Sequence, residues 1–571
     1  MIADPSTSQK PGLDASVWIR FAVIAFAVLW IYSPVVDGEW LWDDDYLLTN
    51  NAVVQSPDGL WKLWFAPATA DYFPLTMSAL WLQWRFFGLD SSGYHWVTAG
   101  LHVLGAVGVW ALFSRIGLRG AWLGGLVFAV HPLAVESVAW IAELKNTLSL
   151  PIFLAAAWCW VVFDETRRPL AFAGALGLFL LAMLGKSSVV MFPCAILLFA
   201  WWKRGRIAWR DILASAPFFL ISLLLGLVTL HFQHSRAIGD EPIPIGGWDA
   251  RLAIAGMALF FYLGKIVWPF PLVPIYPQWK ANPPSIEQLL PWVGVLLLVA
   301  FCWRFRKSFG RHLAMGLGFY AVMILPVLGF VAMSYMRVGW VADHFVYVPM
   351  IGILGLLVDA VVRSSDSLSA RWREVAVACT AVGIGVLAVS SHQYAEVWHN
   401  EDRLWTHTLA HNPNSWQAHN RLGARIFNRG DAAGALPHFR EAVRLRPDLA
   451  ETRNNLGSAI LAQKDTRGAI REFRAAREMA PGITAIQANL ANALALDGAF
   501  SEATQEYADL VRQFPENPVF LCNHGVAAYR AGRIPEAIQS FEKALRINPS
   551  LEDARRNLEV ARQQLRSGEG S

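Results

Sequence analysis

Long apolar runs separated by short basic loops fill the first two thirds of the chain, and an amphipathic repeat fills the rest. A helix that crosses a bilayer needs about 20 mostly apolar residues. The runs at 17–36, 94–113, 119–133, 147–163, 169–184, 187–202, 212–231, 290–304, 313–333, 346–362 and 374–392 are read as eleven spans. The run at 251–267 is apolar enough to join them, but a crossing there would place the basic cluster at 304–311 on the wrong side. It is therefore read as an interfacial or re-entrant helix ahead of Trp268-Pro269-Phe270-Pro271. Residues 37–93 hold no spanning run, and 60–65 and 72–87 within them have the pattern of amphipathic helices lying along the interface.

Under this topology the loops with Arg115/Arg119, Arg167/Arg168, Lys203/Arg204/Arg206/Arg210, Arg304/Arg306/Lys307/Arg311 and Arg363/Arg371/Arg373 share one side. An excess of such residues marks the cytoplasmic side. The amino-terminal tail 1–16 is then cytoplasmic. The loop 37–93, the long segment 232–289 and a carboxyl-terminal domain 396–566 face outward, with a tail at 567–571. The first run lacks a small-residue cleavage site, so it reads as a retained helix of the 17–395 membrane domain rather than a removed signal peptide.

From residue 416 the period changes to 34. Pro447, Pro481, Pro515 and Pro549 keep it, as do Ala435, Ala469, Ala503 and Ala537. Phe439, Phe473, Tyr507 and Phe541 share the spacing, and so do Gly423, Gly457, Ala491 and Gly525. Small residues let two antiparallel helices approach, the aromatic fills the gap, and proline ends the second helix. This is the tetratricopeptide-repeat pattern: about four repeats, a half-repeat from Trp405 to Pro413, and a capping helix at 552–566. Such a stack either holds a polypeptide on its concave face or serves as a spacer or self-association module. The fold class is thus all-α, a polytopic helical bundle followed by an α-solenoid.

Composition sharpens the contrast. The chain is 55% hydrophobic and 16% charged, whereas soluble domains run near 45–50% and about 25%, so most of it is membrane-embedded. A net charge of +4 is too small to argue for nucleic acid. The five cysteines have no spacing that suggests a disulfide frame or a zinc site.

Just beyond the first span lies Trp40-Leu41-Trp42-Asp43-Asp44-Asp45-Tyr46. Three adjacent carboxylates repel one another, so at least one is expected to hold its proton more tightly unless a cation compensates. That suits a catalytic base; a solvated acidic loop capping a helix end is the other reading. Further ionisable groups fall on the same outer side: His131 and Glu136, Glu143 and Lys145, Lys186, and Arg337, Asp343 and His344. If 134–146 is one helix, Glu136 and Glu143 share a face. Singly, each has a plain role as an interfacial ion pair, a snorkelling lysine or a helix cap. Together, they bring carboxylates and cations from four loops to one membrane surface.

The acidic stretch followed by Asn51, His131-Pro132…Glu136-Ser137-Val138-Ala139, Gly185-Lys186, Trp268-Pro269…Tyr276-Pro277 and Ala342-Asp343-His344…Tyr347-Val348-Pro349…Gly352 occur in that order. The series resembles bacterial relatives of the transmembrane and tetratricopeptide-repeat O-mannosyltransferases of the GT-C fold, over about residues 17–550. The resemblance implies a sugar donor on a polyprenyl phosphate, an acceptor hydroxyl on a protein, and an aspartate base in the first outer loop. It places the paired acidic motif on Asp43 and Asp44, leaves Asp45 as an extra carboxylate, and matches Glu136 to the acid after His-Pro. It implies no metal, although an acidic triplet would suit magnesium or manganese. The chain departs from the pattern at Leu144, Asn146 and His344, where relatives carry Arg, Asp and Arg.

Glycosyl transfer passes through an oxocarbenium-like state. A lipid phosphate is already a good leaving group, so the needs are a base at the acceptor and cations at the phosphate. The expected catalytic residues are Asp43, Asp44 and Glu136. Lys186, Arg337, His344 and His131 are expected at the donor, with Asp45, Asp343 and Lys145 in support. The reading is a protein O-glycosyltransferase, with mannose or another hexose as the sugar, in a bacterial inner membrane with site and repeats facing the periplasm. A non-catalytic repeat scaffold, and a GT-C enzyme acting on a lipid or glycan, are the alternatives.

Overall fold

A computed structural model describes residues 15–66, 69–239, 243 and 245–568. Most of the expected amino-terminal tail, 1–14, and residues 569–571 lie outside the described residues. Among the described residues every regular element is a helix, and the chain divides into two compact units at Asn412/Pro413. Helix Glu401–His411, which carries the sequence half-repeat, goes with the first unit.

Eight described helices of the first unit are long and apolar enough to cross a membrane: Ala15–Val35, Ser91–Arg115, Ile141–Thr166, Trp209–Ile238, Trp248–Val267, Ile286–Arg304, Gly310–Val327 and Ala370–Val397. The expected span at 119–133 is a broken pair, Ala121–Val130 and Pro132–Ala139, bent by 58°. Three other expected spans are short helices, Pro169–Gly185, Phe192–Arg204 and Met350–Asp366. The run 187–202 is helical only from Phe192, because Ser187–Val189 is a separate 3₁₀ turn. Helices Gly59–Phe65 and Pro74–Phe87 occupy the two amphipathic stretches of the first outer loop.

The break at 131–132 follows from proline chemistry. Pro132 offers no amide hydrogen and forces its predecessor out of the helical region; His131 accordingly has φ −74°, ψ 128°. Its Nδ1 accepts from the Leu133 amide at 3.3 Å, and its Nε2 lies 3.0 Å from the Ile266 carbonyl. A short helix, Val135–Ala139, ends at extended Trp140, and a turn at Ile141–Glu143 leads into helix Leu144–Thr166. The expectation of one helix over 134–146 is therefore corrected: a bent chain, not a helical face, brings Glu136 and Glu143 together.

Length alone would let Trp248–Val267 cross, but its contacts make it one arm of a hairpin. The helix runs from Gly246 until the Ile266 carbonyl meets His131. The Pro-rich chain then returns, giving carbonyls at Leu272 and Ile275 to His407 and Asn412. A methyl group placed on Gly246 would sit 2.8 Å from Asn282 Cγ, so entry and exit lie side by side. About 30 Å of helix is matched by a longer reach of extended chain.

At the basic end of the bundle, buried Asp164 accepts from Arg204 at 2.7 Å, Lys203 at 3.1 Å and Arg167 at 3.2 Å. Arg204 also holds Asp211 at 2.8 Å, tying Leu144–Thr166, Phe192–Arg204 and Trp209–Phe232 together.

The second unit is a series of helix pairs from Trp416–Asn428 to Ile534–Ile547, followed by Glu552–Gly568. The 34-residue registers meet as the pattern requires. Ala435, Phe439, Ala469, Phe473, Ala503, Tyr507, Ala537 and Phe541 are all buried, and a Cβ on Gly457 would lie 2.7 Å from the Phe473 ring.

Candidate active site

Glu143 is the hub. It is 1% exposed, and each carboxylate oxygen meets an ammonium at 2.9 Å, Oε1 with Lys145 and Oε2 with Lys186. Asn146 donates to Oε2 at 2.7 Å, to Ser137 Oγ at 3.1 Å and to the His344 carbonyl at 3.3 Å. The sharp turn at Ile141–Glu143 makes this convergence local, because Glu143 ends that turn and Lys145 and Asn146 stand on the first turn of the helix that follows. Lys186 arrives from the extended residue after Pro169–Gly185. Burial holds its ammonium below the usual lysine range; Glu143 opposes the shift and Lys145 adds to it. Two cations share this one carboxylate.

His344 sits between two carboxylates. Its Nδ1 is 2.9 Å from Glu136 Oε1, its backbone amide donates to Glu136 Oε2 at 3.0 Å, and its Nε2 is 4.0 Å from Glu143 Oε1. Asp343, fully buried beside it, accepts from Tyr276 at 2.8 Å and from Tyr394 at 3.5 Å. Burial pushes the Asp343 carboxyl well above its usual range, Glu136 adds to the shift, and Tyr276, Lys265 and Tyr394 oppose it. The returning arm of the hairpin thus supplies Tyr276 as a wall of the same cluster.

The acidic triplet divides. Asp44 is 1% exposed and accepts from the Leu41 amide at 2.9 Å and the Ala142 amide at 2.7 Å. Its carboxyl is raised well above the usual range chiefly by burial; the two amides oppose this, and Asp43 and Asp45 add to it. Charge repulsion, the cause expected from the sequence, is the smaller contribution. Asp45 is exposed and accepts from Thr49 at 2.8 Å. Asp43 is exposed, and its charge acts on Lys145. Asp44 therefore fastens the first outer loop to the Glu143 turn, while Asp43 stays exposed, near enough for its charge to act on Lys145.

Two expected donor residues are occupied elsewhere. His131 braces the helix break, and Arg337 donates to the Ala237 carbonyl at 3.3 Å and also to that of Ile238. One carboxylate was not anticipated. Asp71 lies close enough for its charge to act on both Lys145 and Lys186, and it accepts from Gln233, whose Oε1 takes the Ser334 amide at 3.0 Å. The available signal was a lone acid between two aromatic amphipathic helices. Together these groups form a mixed cluster in which two ammoniums, able to meet an anionic leaving group, lie near carboxylates able to accept a proton.

Comparison with known proteins follows the same division of the chain. A tetratricopeptide-repeat family model matches residues 454–518 and 506–552. Protein O-mannosyl-transferase TMTC4 of Mus musculus is 23% identical over 512 residues, covering 75% of this chain and 67% of that protein. Protein O-mannosyl-transferase Tmtc3 of Drosophila melanogaster is 23% identical over 458 residues, covering 66% and 48%. Human protein O-mannosyl-transferase TMTC1 is 22% identical over 508 residues, covering 78% and 57%. The chain thus spans about half to two thirds of the length of these relatives. Similar solved structures include MamA from Desulfovibrio magneticus RS-1, at 16% identity and TM-score 0.26, covering 27% of this chain and 88% of that one. YrrB, described as a TPR protein with an unusual peptide-binding site, is 18% identical with TM-score 0.26, covering 31% and 88%. The chain is a multi-pass membrane protein that carries tetratricopeptide repeats and is similar over most of its length to proteins named protein O-mannosyl-transferases, and the resemblance read from its motifs holds.

Proposed function

We propose that this protein is an inverting GT-C-type glycosyltransferase that moves a hexose, mannose by similarity, from a polyprenyl phosphate to a hydroxyl on an exported protein. The observation that carries the reading is the pair of ammoniums, Lys145 and Lys186, held on Glu143 beside Asp43. The Asp43 carboxylate takes the proton of the acceptor hydroxyl, and the oxygen attacks the anomeric carbon. The bond from that carbon to the phosphate oxygen breaks, and its electron pair leaves on the polyprenyl phosphate, where Lys186 and Lys145 hold the charge. Glu136 orients His344, whose Nε2 faces the same cluster. The repeats present the acceptor, and the site and repeats face the periplasm of a bacterial inner membrane.

The test is mass spectrometry of exported proteins from cells carrying wild type, Asp43→Asn or Asp44→Asn. The reading expects a hexose on at least one protein in wild-type cells and its loss with Asp43→Asn. An unchanged pattern with both Asp43→Asn and Asp44→Asn would instead favour a repeat scaffold. A hexose appearing only on lipid or glycan would move the acceptor class.

A further inference from the structure

Trp42 has φ +48°, a left-handed backbone in a bulky residue. It is the second residue of the turn Leu41–Asp44, closed by the Asp44 amide on the Leu41 carbonyl at 2.9 Å. Glycine is the residue that takes positive φ at that place without steric cost. The turn therefore needs holding from outside, and three contacts do so. The Trp42 ring stacks on Trp140, with centroids 5.0 Å apart and planes at 14°, and meets the Trp405 ring edge-on at 5.3 Å. The Trp42 amide donates to Glu401 Oε1 at 3.2 Å. Alongside, the Glu39 amide donates to the His399 carbonyl at 2.8 Å, so the segment leading to the turn runs against the start of helix Glu401–His411.

Resting on the proposed transfer reaction, we infer that Trp42 and Glu401 are positioning residues that set the direction of the Asp43 carboxylate. A left-handed residue directly before Asp43-Asp44 turns one carboxylate inward to the Leu41 and Ala142 amides and leaves the other on the exposed side of the turn. Relaxing Trp42 to negative φ redirects Asp43 while Asp44 stays tied to its two amides. Strain of this kind persists only where the surroundings over-determine it.

The test uses the full chain in nanodiscs, comparing Glu401→Ala, Glu401→Gln and Trp42→Gly. The first readout is hydrogen exchange of the peptide containing Trp42. The second is kcat and KM for a polyprenyl-phosphate hexose and an acceptor peptide. Glu401→Ala is expected to speed exchange at least tenfold and lower kcat about tenfold with KM within twofold. Glu401→Gln, which keeps an acceptor oxygen, restores both toward wild type. Trp42→Gly, which adopts positive φ freely, loses less kcat than Glu401→Ala. Unchanged exchange in Glu401→Ala, faster exchange without a fall in kcat, or no rescue by Glu401→Gln each overturns the inference. Absence of transfer by wild type removes the enzyme reading instead, while the exchange measurement still reports whether Glu401 anchors the turn.

Discussion

Asp43 and Asp44 are adjacent in the chain, yet one is exposed to solvent while the other spends both oxygens on backbone amides. Asparagine at position 44 keeps one accepting oxygen and turns an NH₂ toward the second amide, leaving a buried donor unsatisfied at about 1–3 kcal/mol. Asp44→Asn is therefore expected to lower the melting temperature measurably, whereas Asp43→Asn stays near wild type in stability and loses transfer. The pH dependence has a definite sign. Burial raises the Asp44 carboxyl in the fold, so the folded state binds the proton more tightly than the unfolded chain. The Asp44 contribution is then fullest below the ordinary value of 3.8 and is lost as pH rises through the raised one. Melts across pH should show the gap between wild type and Asp44→Asn narrowing upward from about pH 4. At Glu143, removing the carboxylate leaves two ammoniums facing each other, and Glu143→Ala should cost about 3–5 kcal/mol by chemical denaturation. The sequence marked these residue types and their common side, because charge beside apolar runs is conspicuous. It did not tell Asp43 from Asp44, since that difference is made by an amide 98 residues away. Nor did it reveal that His131 and Arg337 are engaged by backbone carbonyls.

Among the elements, the repeats were legible and the broken helices were not, for a physical reason. A 34-residue repeat is written locally: small residue, aromatic and proline recur wherever the same helix pair recurs. Gly457→Val should therefore act as overpacking against Phe473 and destabilise by about 1–3 kcal/mol in a thermal melt, with the same change at exposed, unhindered Gly482 as the control. The stretch 131–146 is apolar enough to read as helix. Its two kinks depend on Pro132, on a histidine that finds Ile266, and on an aspartate in a different loop. Such long-range contacts carry no local periodicity. Glu136 and Glu143 both reach His344 because the chain bends between them.

At the scale of the molecule, a membrane unit ends at Asn412 and a repeat unit begins at Pro413. Each has its own core, and the repeat unit buries a continuous row of small and aromatic side chains through successive pairs. Residues 413–568 expressed alone should give a helical circular dichroism spectrum and a cooperative melt. The two-part organisation was visible as the change from apolar runs to amphipathic repeats.

The neighbouring ends of the hairpin, Gly246 and Asn282, bear on how sidedness is counted along the rest of the chain. An arm that goes in and comes back adds nothing to the tally of crossings, however apolar its helix. Reporter enzymes inserted before Trp248 and after Asn282 should thus signal from the same compartment, and a counting scheme that scores every greasy helix would invert everything downstream.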